Sequence, residues 1–140
     1  MKRLLSILIL TSLISITSYA QISSNGTGGG NWNSTSTWSE GIIPTTEDVT
    51  IQASDIVSIS TTQTCKELTI GSSATLQLQT SVSLTTSQSL TAYGTLTVEA
   101  GTLTVGDSKS DKLLIPGGTF NFSGGTINVA GSYKQNLTGA

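Results

Sequence analysis

From Asp48 onward the chain alternates polar and apolar residues in short runs, most of them closed by glycine or by a Ser/Thr-rich turn. Val49 and Ile51, Val57 and Ile59, Leu68 and Ile70, Leu76 and Leu78, and Val82 and Leu84 each bracket a Thr, Ser or Gln. Leu96 and Val98, Leu103 and Val105, Phe120 and Phe122, and Ile127 and Val129 bracket a Thr or Asn in the same way. Residues two apart on a strand share a face, so each pair turns its apolar side chains one way and its polar neighbour the other. Beyond the first 20 residues no window sustains apolar positions at helical spacing. The pattern predicts an all-β chain of very short strands.

A repeat sharpens this. Gly94-Thr95-Leu96-Thr97-Val98 is followed seven residues later by Gly101-Thr102-Leu103-Thr104-Val105, and both return 24 residues on as Gly118-Thr119-Phe120-Asn121-Phe122 and Gly125-Thr126-Ile127-Asn128-Val129. Leu90 and Leu114 precede these pairs at matching offsets. Fixed self-similarity of this kind marks a stacked architecture. A parallel β-solenoid, each rung holding three short strands, fits better than an antiparallel β-sandwich, whose hairpins favour two-residue Asn-Gly or Asp-Gly turns. Leu68, Leu76 and Val82 are the expected counterparts in an earlier rung. A solenoid needs covered ends. Trp32 and Trp38 are placed to cover the first rung. Nothing comparable follows Val129, so the expectation is a chain truncated at its C-terminus or shielded there by self-association.

The first residues read differently. Lys2 and Arg3, an apolar stretch from Leu4 to Ile16 and Ser18-Tyr19-Ala20 make a signal peptide over 1–20. Segment 21–44 reads as a Gly/Trp-rich leader and N-terminal cap, and 45–140 as solenoid rungs. Localisation is then secreted or outer cell surface, with no membrane span once the signal is removed. After residue 20 four lysines face eight carboxylates, a net charge of −4 (4 minus 8), with no arginine or histidine. Such a chain has no basic patch for phosphate, so nucleic acid is excluded as a partner.

Candidate chemistry is sparse. Nucleophilic catalysis of the Ser-His or Cys-His kind has no histidine to use. Glu99, Asp107 and Asp111 are the carboxylates a polysaccharide hydrolase would need to pair, but the last two lie in a loop of mixed charge, as a solvated turn does. Glu47, Asp48 and Asp55 offer hard oxygens to calcium, yet without EF-hand or Gly-Gly-x-Gly-x-Asp spacing. No catalytic residue, metal ligand or cofactor is therefore assigned, and the chain is read as a non-enzyme. The sole cysteine, Cys65, reads as a small buried hydrophobe. Phe120 and Phe122 read as core, and Tyr93 and Tyr133 as turn-bordering. Trp32 and Trp38 are the candidate glycan-binding residues, because an indole face stacks on a sugar ring, with packing over the first rung as the competing role.

The stretch Gly28-Gly29-Gly30-Asn31-Trp32-Asn33, with Thr37-Trp38-Ser39, Gly41, Pro44 and Asp48-Val49-Thr50-Ile51, resembles the N-terminal opening of large secreted surface proteins of Bacteroidota. The later Leu-Thr-Ile-Gly and Gly-Thr-Leu-Thr-Val runs resemble their glycine-punctuated rungs and are similar to the G8 domain. The resemblance implies a right-handed β-helix in an adhesin-like or scaffold protein, with no catalytic residues to carry over. Its partners would be extracellular polysaccharide or host and cell-surface glycans, and further C-terminal domains of the same polypeptide. The type IX sorting domain often carried by such proteins is not in this sequence. The functional expectation is a non-enzymatic β-solenoid segment of a surface adhesin or scaffold. The alternatives are a carbohydrate-binding module or the N-terminal part of a polysaccharide-active β-helix enzyme.

Overall fold

The computed structural model describes residues 20–136. The proposed signal peptide, Ala20 excepted, and the tail from Leu137 to Ala140 lie outside the described residues.

The chain is a parallel β-solenoid. Its first rung is incomplete: β1 (Gln21–Ser23) and β2 (Gly29–Asn31), followed by a 3-10 turn at Thr35–Thr37. Four full rungs follow. They are β3 (Asp48–Ile51), β4 (Ile56–Ile59) and β5 (Gln63–Cys65); β6 (Leu68–Ile70), β7 (Thr75–Leu78) and β8 (Ser83–Thr86); β9 (Leu90–Ala92), β10 (Thr95–Val98) and β11 (Thr102–Val105); and β12 (Lys112–Pro116), β13 (Thr119–Phe122) and β14 (Thr126–Val129). A last strand, β15 (Ser132–Asn136), opens a further rung. Like strands stack into three sheets, ordered β1-β3-β6-β9-β12-β15, β2-β4-β7-β10-β13 and β5-β8-β11-β14. Every strand pairing is parallel, which rules out the antiparallel sandwich. The one antiparallel contact among the described residues is an isolated bridge between Ser24 and Trp38.

The sequence alternation becomes columns. Val57, Leu76, Leu96 and Phe120 stack in register on the second sheet, and Ile59, Leu78, Val98 and Phe122 beside them. On the third sheet Gln63, Leu84, Leu103 and Ile127 stack. On the first, Ile22, Val49, Leu68, Leu90, Leu113 and Tyr133 do the same. The aliphatic members from Val57 to Leu103 are fully buried. Burying each such side chain contributes about 1.5–3 kcal/mol, and with one cysteine in the chain these columns hold the fold without an internal disulfide.

Rung length is not constant. The step is 19 residues from Val57 to Leu76 and 24 from Leu96 to Phe120. Two expected equivalences shift as a result. Leu90 pairs with Leu113, so Leu114 faces outward beside Thr91. The third-sheet counterpart of Leu103 is Leu84, and Val82 lies in the corner before β8. The leader also does more than cap. Gln21–Ser23 and Gly29–Asn31 pair with β3 and β4, because a backbone ladder needs no apolar side chain.

The repeated glycines sit where the chain turns from one sheet to the next. A Cβ on Gly94 would fall on the carbonyl oxygens of Gly71 and Ala74, and one on Gly118 on those of Gly94 and Ala92. The corner closes by backbone resting on backbone, which leaves no room for a side chain.

The assigned facing predicts opposite outcomes for adjacent residues. Leu103→Asp places an unpartnered charge in the sealed interior and should cost more than about 4 kcal/mol. Thr104→Asp, on the outer face, should change stability by less than about 1 kcal/mol. Thermal unfolding followed by circular dichroism distinguishes them.

Candidate functional site

Trp32 and Trp38 close the N-terminal end of the stack. Their indoles meet edge to face, with ring centroids 4.9 Å apart and planes at 75°. The Trp38 indole N–H donates to the Trp32 carbonyl at 2.8 Å, and that of Trp32 to the Pro44 carbonyl at 3.5 Å. Trp32 is 0% exposed and Trp38 2%. Neither indole face is open to a sugar ring, so the stacking role considered for them is not available in this arrangement. Their area goes into covering the first rung.

The cap is latched by a carboxylate that the sequence did not single out for this role. Asp55 is buried, and it accepts the Ser24 hydroxyl and the Gly26 N–H (2.8 Å) on one oxygen and the Gly28 N–H (2.8 Å) on the other. Burial pushes its pKa up, but the hydrogen bonds from Ser24, Gly28 and Gly26 together outweigh it and hold the group below its ordinary value. The Ser24 hydroxyl oxygen in turn accepts the Gln52 N–H at 2.7 Å.

The three carboxylates considered for calcium are thus separately engaged. Asp55 serves the latch. Glu47 accepts the N–H groups of Thr45 (2.7 Å) and Thr46 (2.9 Å), which lower its pKa. Asp48 pairs with Lys66 at 3.3 Å. Among the described residues no three of His, Cys, Asp and Glu converge on a point that could hold a metal.

A polar cleft of about 410 Å³ runs along the corner between the third and first sheets. Successive rungs contribute Thr46, Lys66, Ser87 with Gln88, and the loop from Asp107 to Asp111. Asp111 faces its own loop, accepting the N–H groups of Asp107 (3.1 Å) and Ser108 (2.9 Å) and the Ser108 hydroxyl (3.0 Å). The Ser108 N–H is the largest of the influences that lower its pKa. Glu99 follows β10 at a different corner and takes the Gln77 side-chain amide at 2.5 Å. The structure therefore brings Asp107 and Asp111 together but not Glu99.

The outer face of the third sheet carries two uncharged columns. Thr64, Thr85, Thr104 and Asn128 form one column, and Ser83, Thr102 and Thr126 another, with no charged residue in either. The side chains of Thr85, Thr102, Thr104 and Thr126 make no hydrogen bond among the described residues. The strand spacing of about 4.8 Å sets the step within each column.

Cys65, on β5, is 3% exposed. Burial, then the negative charges of Asp48 and Glu47, push its thiol up to about 12. It is a packing residue in the column that continues to Thr86 and Val105.

Comparison with protein-family models, curated proteins and solved structures returns no match to the chain.

Two outcomes follow from these groups. Asp55→Asn presents an amide to donors that need an acceptor and should cost about 1–3 kcal/mol near neutral pH. The contribution of Asp55 is complete above its unfolded pKa and drains away as pH falls through the lower folded value. The deficit of Asp55→Asn relative to the parent should therefore shrink as chemical-denaturation curves are repeated toward acid. Cys65 should resist a soluble thiol reagent at mildly alkaline pH and react at once when denaturant is added, as absorbance assays of thiol release can follow.

Proposed function

We propose that the chain is an exported, non-enzymatic β-solenoid segment of a cell-surface adhesin or scaffold, working by rigid extension and by presenting polar strand faces to extracellular polysaccharide. The observation that carries this reading is the uncharged outer face of the third sheet, where four threonine hydroxyls have no partner within the described fold. A rigid row of donors and acceptors suits a neutral polymer of hydroxyl groups, and ordered columns lose little conformational freedom on binding. The resemblance of the Gly28–Ile51 stretch to the opening of Bacteroidota surface proteins supports export and surface display. An acidic sequence that holds no arginine or histidine after residue 20 supports a glycan over a nucleic acid.

The carbohydrate-binding alternative shares this face and differs only in affinity and attachment. The enzyme alternative has less support. Asp55, Glu47 and Asp111 each accept hydrogen bonds from neighbouring residues that lower their pKa, whereas a general acid needs a raised one.

A glycan array probed with the exported protein tests the reading. Binding to neutral polysaccharide is expected, with loss of about tenfold or more in affinity in the double variant Thr85→Lys, Thr104→Lys and an unchanged melting temperature. Turnover of any polysaccharide, or binding that ignores both substitutions, would count against it.

A further inference from the structure

Among the described residues the chain passes four times from the third sheet to the first, and the crossings differ in length. Two residues join β5 to β6, three join β8 to β9 and two join β14 to β15, but six, Gly106–Asp111, join β11 to β12. The long crossing has chain to spare beside its neighbours, and the polar cleft of about 410 Å³ lies between it and the shorter corners at Lys66 and at Ser87 and Gln88. Both walls are fixed by hydrogen bonds. The Lys66 N–H donates to the Glu47 carbonyl at 2.9 Å, that of Ser87 to Cys65 at 3.1 Å and that of Gln88 to Lys66 at 2.7 Å. The long loop is tied down by the Asp111 carboxylate, which accepts from Asp107 and Ser108 and is only 9% exposed. By contrast, the side chains of Ser87, Gln88 and Asp107 make no hydrogen bond among the described residues. Ser87 comes two residues after Thr85, and Asp107 three after Thr104, so the cleft adjoins the hydroxyl columns of the third sheet.

We propose that this cleft binds one or two rings of a neutral saccharide, as the specific subsite of a glycan that also lies along the third sheet. The inference rests on the reading of that sheet as a glycan surface. The volume is that of a small-molecule site, about 300–1,000 Å³, but the lining is hydroxyl, amide, carboxylate and ammonium in place of hydrocarbon. Such a lining suits a ligand whose own surface is hydroxyl groups. The Asp107 carboxylate accepts from two sugar hydroxyls, the Gln88 amide both donates and accepts, and the Ser87 hydroxyl does either. The charges select the class. A carboxylated sugar meets Asp107 and Asp111, and an amino sugar meets the Lys66 ammonium, which is paired with Asp48 at 3.3 Å. A neutral sugar meets neither repulsion. The walls are ordered before the ligand arrives, so little freedom is lost on binding. A polymer held in the cleft also keeps its next rings at high local concentration over the threonine columns.

Titration of the purified protein with neutral di- and trisaccharides of glucose, galactose and mannose, followed by backbone amide NMR shifts, tests this. The expected result is saturable movement of the Lys66, Ser87, Gln88 and 106–111 signals at millimolar concentrations of at least one sugar. Gln88→Ala and Asp107→Ala, both at exposed positions, should each raise its dissociation constant about tenfold with the circular dichroism unchanged. No movement in the cleft with any of the sugars would overturn the proposal. Shifts confined to Thr85, Thr102 and Thr104 would also overturn it while leaving the third-sheet reading standing. Tighter binding of glucuronic acid or glucosamine than of the neutral sugars would contradict the assigned class.

Discussion

The structure depends on one contact repeated along its length: an aliphatic side chain resting on its counterpart from the rung below. Val57 on Leu76 on Leu96 is the clearest case. Each strand is only three to five residues long, too short to be stable alone. Each strand inside a sheet is held on both edges by parallel ladders, and on one face by the shared interior. The polar residues between the aliphatic ones are then obliged to face outward, and the hydroxyl surface is a by-product of the core. The glycine corners serve the same end, since they let the backbone fold back without pushing the columns apart.

A stack built this way needs its first rung covered. At the N-terminus two indoles cover the interior, and a buried carboxylate ties the glycine-rich loop above them to the first full rung. The charge of Asp55 is tolerated because three donors surround it. At the C-terminus aromatic rings stand where aliphatic residues stand elsewhere, and Phe120 lies 6.1 Å from Tyr133 and 6.4 Å from Phe122 by ring centroid. Phe122 is half exposed.

Much of this was readable in the residues, for a physical reason. A strand with one buried face must alternate, so the pairs from Val49 to Val129 announced both strand and facing. The period was readable only in part. Corner loops absorb insertions without disturbing the columns, and the loop from Gly106 to Asp111 moves the pairing partner of Leu90 to Leu113. Counting by 24 therefore slips by one residue there. The strands at Gln21–Ser23 and Gly29–Asn31 were hidden because glycine and serine pair through backbone alone. The Asp55 latch was hidden because Ser24, Gly26 and Gly28 look like any turn. Alternation also says that Phe122 points inward, whereas Tyr133, read as bordering a turn, lies on strand β15 and continues the column of Leu113. For the two tryptophans, residue type was compatible with a sugar platform and with a lid, and burial distinguishes the two.

The central claim, parallel rungs in register, is tested most directly by nuclear Overhauser contacts between backbone and side-chain protons. Thr97 should show contacts to Gln77 on one side and to Asn121 on the other, with Leu96 between Leu76 and Phe120. Cross-strand contacts of the antiparallel kind between the consecutive segments Thr95–Val98 and Thr102–Val105 would contradict the account.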